Sequence, residues 1–166
     1  MNVYRHFLIQ LVLGCLFVVY PVEGQERTSI SPTGTNTVTA RLNRAQVKVT
    51  IRATRINSSH VLFPSEFIPG AKEVTIISKM EIAVNGKNLF VPRSVFLDVF
   101  DPHEASLEFQ NGKFALRITE ADASNSAFIL VYFDAKEITR RMVYSQLEPD
   151  KAIEDTRYTF TRLEDK

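Results

Sequence analysis

The sequence predicts an all-β fold, an antiparallel sandwich or barrel of about eight or nine strands in a single domain. Apolar and polar residues alternate with a period of two in several stretches. Asn-Gly pairs, which suit tight hairpin turns, separate two pairs of these stretches. No window of about ten residues combines a helical period with helix caps. Because a period of two places every second side chain on one face, the alternating stretches are predicted to be half-buried strands.

Residues 1–24 are predicted to be a cleaved secretory signal. Arg5 precedes an apolar run over residues 7–22, and the small residues at positions 22 and 24 suit a signal peptidase. A retained membrane anchor is one alternative, but the run is shorter than the roughly 20 apolar residues that span a bilayer, and it contains Gln10. Lipid attachment at Cys15 is a second alternative, which would leave an apolar start to the mature chain.

The composition limits the compartment and the function classes. One Cys and three His exclude a disulfide framework and leave a Cys/His zinc site short of ligands. Twenty basic against 19 acidic residues create no field that attracts nucleic acid. Six glycines, none clustered, form no phosphate-binding loop, and no cofactor is expected. We expect a periplasmic or secreted protein of a bacterial envelope, with no membrane span after signal cleavage.

The elements follow from the pattern in chain order. Residues 25–36, rich in Thr, Ser, Gly and Pro, are predicted to be a flexible leader that precedes the β domain at residues 37–166. Prolines make residues 57–72 a packed loop, and Pro92 leaves residues 95–100 as either a short edge strand or a packed crossover. The predicted strands are residues 37–43, 47–54, 73–85, 89–91, 107–109, 114–118, 127–133, 138–145 and 158–160.

The densest cluster of chemically active side chains is a loop that contains Asp98, Asp101, His103 and Glu104. Carboxylates with an imidazole can hold a divalent cation or perform acid and base chemistry near neutral pH. The same residue types also serve turns, because an Asp side chain accepts hydrogen bonds from backbone amides ahead of it. The structural turn is the favoured interpretation.

Two neighbouring arginines, Arg140 and Arg141, lie in the middle of a predicted strand, so their side chains point to opposite faces. One of them is expected to meet a carboxylate such as Asp134 or Glu137, or an anionic ligand. Charges that protect an edge strand from aggregation explain the pair at least as well, and this interpretation is favoured.

Binding by protein recognition is the function that these patterns favour. The loop of residues 120–126 offers Asp122 and Ser124 to a partner, and no neighbouring His or Gly-x-Ser-x-Gly turn activates a serine. Among the aromatic residues, those with polar tips that suit a binding face are Tyr132, Tyr144 and Tyr158.

We therefore expect an exported binding or accessory protein, such as an inhibitor or immunity-type protein, that recognises a protein partner through strand edges and through loops 92–104 and 120–126. The alternative is a metal-dependent hydrolase or metal-binding domain centred on residues 98–104. A third hypothesis is a carrier with an apolar cavity inside a barrel. An enzyme is the less favoured class.

Overall fold

The computed structural model describes residues 26–60, 72–120 and 127–160 of the 166-residue chain. Within these ranges the protein is all-β, with two antiparallel sheets and no α-helix. No helix among the described residues has the length and apolar content needed to cross a membrane. The strands are β1 (Glu26–Ser29), β2 (Gly34–Leu42), β3 (Ala45–Asn57), β4 (Glu73–Val84), β5 (Lys87–Asn88), β6 (Pro102–Gln110), β7 (Lys113–Glu120), β8 (Ala127–Phe133), β9 (Ile138–Ser145) and β10 (Ala152–Arg157).

Most strands pair with their neighbours in the sequence. The smaller sheet has the order β2-β3-β4-β5, and the larger sheet has the order β1-β6-β7-β8-β9-β10. Both predicted Asn-Gly hairpins are present, with φ values of 51° and 78° at each pair. The β2–β3 hairpin has the same left-handed geometry at Asn43 (45°) and Arg44 (66°), where the sequence contains no glycine to reveal it. These are the positive φ angles that a two-residue hairpin of matching twist requires.

One hydrophobic cluster joins the two sheets. Alternate residues of β3, such as Val49 and Ile51, lie in the same cluster as Leu116 and Ile118 of β7. Most of the intervening residues of β3, such as Lys48, are exposed. The period of two therefore sets which face of each strand is buried, as the sequence predicts.

Hydrogen bonds connect β4 of the smaller sheet with the segment that leads into β6 of the larger sheet. The Thr75 N–H donates to Asp101 Oδ1, and the Asp101 N–H donates to the Thr75 carbonyl, both at 2.8 Å. An isolated antiparallel bridge pairs Ile76 with Phe100. Residue 101 has a φ of 44°, a left-handed conformation that Asp tolerates better than most residues. This junction leads the chain from the smaller sheet into β6.

Several boundaries differ from the prediction. The stretch predicted to be a flexible leader contains β1 and the start of β2, because β1 is held by pairing with the distant strand β6. The last strand is Ala152–Arg157 rather than residues 158–160, and the short return strand is Lys87–Asn88 rather than residues 89–91. Residues 95–100 form a packed crossover that follows a 3-10 turn at Arg93–Val95. The predicted loop at residues 57–72 lies largely outside the described residues.

Candidate functional site

The larger sheet has a solvent-facing side that is rich in aromatic and apolar residues. Strand pairing aligns them in adjacent rows, in which Tyr132 lies opposite Arg140 and Phe128 opposite Tyr144. They alternate along the strands with residues of the shared cluster, so they face away from the core. We call this surface the outer face; its side chains are Arg117, Phe128, Leu130, Tyr132, Arg140, Met142 and Tyr144.

Stacking contacts fix the centre of the outer face. The rings of Phe128 and Tyr144 lie 4.9 Å apart at 8° to each other, and the Arg117 guanidinium carbon lies 3.7 Å from the centre of the Phe128 ring. The Tyr144 hydroxyl donates to Met142 Sδ at 3.4 Å. Phe128 is only 4% exposed, whereas Arg117, Met142 and Tyr144 are half-buried. The surface thus has an apolar base covered by side chains with polar tips.

A depression of about 310 Å³ lies at one end of the outer face. Tyr132 and Arg140 line it, and Arg140 donates two hydrogen bonds of 2.6 and 2.7 Å to Asp155. Burial raises the pKa of Tyr132, and the nearby Tyr144 adds to the effect. The hydrogen bond from Arg140 lowers the pKa of Asp155. The depression is lined by Gln110, Asn111, Lys113, Tyr132, Thr139, Arg140 and Arg157.

A larger depression, of about 480 Å³, lies where β1 approaches the β2–β3 hairpin. Its lining is mostly polar and contains no aromatic residue, and it consists of Glu26, Thr39, Ala40, Arg41, Arg44, Gln46 and Asn85. The outer face therefore offers the stronger combination of apolar area and positioned charge for binding.

The second arginine of the pair, Arg141, is buried on the opposite side of β9 and is 2% exposed. Its Nε donates to the Val95 carbonyl at 3.2 Å, its Nη1 to Glu154 at 2.7 Å, and its Nη2 to both Asp98 oxygens at 2.7 and 2.8 Å. Burial opposes the charge of Arg141, but the carboxylates outweigh this effect and raise its pKa. The guanidinium fastens the crossover to β9 and β10, which is a structural role.

Glu120 is the most perturbed carboxyl group near this cluster. Its Oε1 accepts a hydrogen bond from the Phe100 N–H at 3.2 Å. Burial raises the pKa of Glu120 to about 7, and the negative charge of Asp98 adds to the rise. The amides of Phe100 and Ala127 and the charge of Arg141 act in the opposite direction. The pKa of Glu120 therefore lies near neutral pH.

The four residues of the metal hypothesis are not brought together. Asp98 binds Arg141, Asp101 accepts a hydrogen bond from Thr75, and Glu104 lies 3.7 Å from Arg27. The His103 side chain is exposed, while its carbonyl accepts a hydrogen bond from the Ile30 N–H. Across the described ranges, no three His, Cys, Asp or Glu side chains are grouped so that they could hold a metal ion. The hydrogen bond that Asp101 accepts comes from Thr75 of β4, and not from an amide ahead of it in the loop as the turn interpretation expects.

The prediction for Arg140 and Arg141 is correct about the direction of the two side chains. It is wrong about the carboxylates that they bind and about β9 as an edge strand. Arg140 and Arg141 do point to opposite faces, but they bind carboxylates of β10 and the crossover, and not Asp134 or Glu137. Strand β9 lies between β8 and β10, so it is not an edge strand. The proposed binding residues Asp122 and Ser124 lie outside the described residues.

Sequence reasoning missed two parts of the outer face. The sequence predicts Phe128 to be a core residue, yet it is buried by Arg117 and Tyr144 rather than by the other sheet. The sequence likewise predicts Arg117 to be an ordinary solvated charge. The sequence does carry one signal for this covering, the nearly uninterrupted apolar run of β8. A strand that is apolar on both faces is expected to be covered by other side chains on both of them.

No protein-family model matches the chain, and no curated protein or solved structure is significantly similar to it.

Proposed function

We propose that this chain is an exported β-sandwich protein that binds another protein through the outer face of its larger sheet. The observation that carries the proposal is the stacked centre of that face, where Arg117, Phe128 and Tyr144 hold one another in place. An accessory role, such as that of an inhibitor or immunity-type protein, fits a molecule that acts by surface recognition.

The residue types of the outer face support protein binding. Aromatic residues, Met and Arg are enriched in the centres of protein interfaces and account for a large share of binding hot spots. Because the rings of Phe128 and Tyr144 are already stacked, little side-chain freedom remains to be lost on association. The partner chemistry that fits is an apolar side chain flanked by a carboxylate, which would lie over the rings and face Arg117.

Two further parts of the proposal rest on the chain and its sheet order. The apolar run at residues 7–22 with its small-residue ending supports export. Each sheet has its own pair of end strands, β1 and β10 in the larger one and β2 and β5 in the smaller one, which favours a sandwich over a closed barrel.

The test is comparative capture of partners from the cells that make the protein. The immobilised protein is compared with Arg117→Glu and Tyr132→Ala, which change the outer face, and with Arg52→Glu, which makes the same charge change on an exposed position of the smaller sheet. We expect one stoichiometric protein that binds the wild type and Arg52→Glu, and that loses about thirtyfold in affinity with each outer-face variant. A partner that binds all four proteins equally would contradict the proposal.

A further inference from the structure

The outermost strand of the larger sheet, β10, presents a hydrogen-bonding edge. Among the described residues, β10 pairs only with β9. The Tyr158 N–H donates to the Thr139 carbonyl, and the register pairs Thr156 with Arg141 and Glu154 with Val143. These residues therefore direct their amides toward β9.

The alternate residues, Asp155 and Arg157, lie at the non-hydrogen-bonded positions of that ladder. Their N–H and C=O groups consequently point away from β9, toward the open side of the sheet. Both side chains are exposed and lie at the sheet edge, on the same side of the sheet as the outer face. An open row of backbone groups of this kind is a template for another strand.

We propose that β10 pairs with β10 of a second copy of this chain, antiparallel and centred on Thr156, so that two larger sheets form one continuous sheet. This inference is independent of the proposed function. It concerns the edge of the sheet, and the outer face stays accessible in such a dimer.

The charges select this register. Antiparallel pairing of two identical edges must place outward-pointing residues opposite one another, which allows only registers that differ by steps of two residues. The register centred on residue 156 places Asp155 opposite Arg157 of the second copy, twice by symmetry. Centring the pair on residue 155 or on residue 157 would place Asp opposite Asp or Arg opposite Arg. Opposite charges across a strand pair are favourable and like charges are not.

Two further features agree with this arrangement. Asp155 accepts two hydrogen bonds from Arg140, and a carboxylate retains lone pairs for Arg157 of the second copy. Ile153, an apolar residue that is 70% exposed, sits at the bulge next to the pairing segment. In the dimer it lies opposite Thr159 of the second copy, where pairing covers part of its surface.

The first experiment measures the oligomeric state by sedimentation velocity over a concentration series. Wild type, Arg157→Lys and Arg52→Glu are expected to dimerise alike, while Arg157→Glu raises the dissociation constant about tenfold or more, because it replaces both favourable pairs with repulsive ones. A wild type that stays monomeric throughout, or a dimer that is unaffected by Arg157→Glu, overturns the proposal.

The second experiment tests the register by cross-linking in a Cys15→Ser background. Thr156 faces its own copy at a non-hydrogen-bonded position, where the Cα atoms are about 4.5 Å apart, a distance that suits a disulfide. Thr156→Cys is therefore expected to give a disulfide-linked dimer on mild oxidation. Ile153→Cys is the exposed control, since the two copies of residue 153 are about 20 Å apart in this register. Equal cross-linking of both variants, or none at position 156, contradicts the proposed pairing.

Discussion

At the scale of single residues, adjacent arginines on opposite faces of one strand have different energetic roles. Arg141 is buried with two carboxylates and a carbonyl, whereas Arg140 and its partner Asp155 are both more than a third exposed. Removing one member of a buried ion pair leaves charges without compensation, while an exposed pair is screened by water. The sequence shows two identical residues, and only burial distinguishes them.

This difference predicts unequal effects of the same substitution. Arg141→Ala is expected to lower the free energy of unfolding by about 3 kcal/mol, the lower end of the range for buried pairs, because Asp98 and Glu154 are themselves partly exposed. Arg140→Ala is the matched control and should cause a clearly smaller loss. Urea denaturation of both variants measures the difference. Equal losses would show that the Arg141 contacts do not fasten the crossover.

Glu120 predicts a pH dependence with a definite sign. Its folded-state pKa of about 7 lies above the ordinary 4.5, so between these values the folded protein holds a proton that the unfolded chain has released. The free energy of unfolding therefore falls as pH rises from 4.5 to 7, by about 3 kcal/mol for this group. Glu120→Gln keeps an acceptor for the Phe100 amide and should remove this fall, so that the variant is the more stable protein at pH 8.

The measurement is urea denaturation of wild type and Glu120→Gln at several pH values from 4.5 to 8. Glu81→Gln is the control, because Lys79 lowers the pKa of that exposed carboxyl. The stabilisation from Glu81 is complete above its ordinary pKa and is lost only as pH falls further, so its replacement leaves the slope between pH 4.5 and 7 unchanged. Parallel curves for wild type and Glu120→Gln would show that Glu120 is ionised in the folded protein.

At the scale of elements, the two kinds of hairpin turn predict that two substitutions change the stability in opposite directions. Gly112 has a φ of 78°, so Gly112→Ala is expected to destabilise by about 1 kcal/mol, because a Cβ is unfavourable in that conformation. Arg44 has a φ of 66° in the β2–β3 turn, so Arg44→Gly should stabilise by about 0.5 kcal/mol after the entropy of the unfolded chain is counted. Thermal unfolding measures both; the same sign for both would show that φ does not decide the effect.

These turns also show which parts of the fold the sequence could predict. The Asn111-Gly112 hairpin is predictable because turn chemistry and the alternation of its strands are local. Strand β1 is not, because its stability comes from pairing with β6, far along the chain. Strand β10 alternates without an apolar face, since its inward Glu154 binds Arg141 and its residues lie outside the hydrophobic cluster.

In the candidate site, too, some features follow from the local sequence and others depend on residues far along the chain. That Arg140 and Arg141 face opposite ways follows from strand geometry alone. That Asp98 meets Arg141 rather than a metal depends on where the crossover packs, which no local pattern specifies. The aromatic stack of Phe128 and Tyr144 likewise depends on the register between β8 and β9.

At the scale of the whole molecule, the shared hydrophobic cluster and the Thr75–Asp101 hydrogen bonds make the two sheets interdependent. A sheet that lost its partner would expose one complete apolar face to water, so neither sheet is expected to remain folded alone. The molecule should therefore unfold as one cooperative unit, although each sheet is mostly built from neighbouring strands.

Cooperative unfolding predicts that a destabilising substitution in one sheet lowers the stability of both sheets equally. Ile51→Ala in β3 and Leu116→Ala in β7 each remove a fully buried side chain and should cost about 3 kcal/mol. Hydrogen exchange followed by mass spectrometry should show that Ile51→Ala lowers amide protection in β7 and β8 as much as in β3. Leu116→Ala should likewise lower amide protection in β3 as much as in β7 and β8. Lys48→Ala, an exposed change on β3, should leave protection unchanged. If each core substitution weakened only its own sheet, the sheets would be separate folding units, and the shared cluster would be a contact between them rather than the core of one domain.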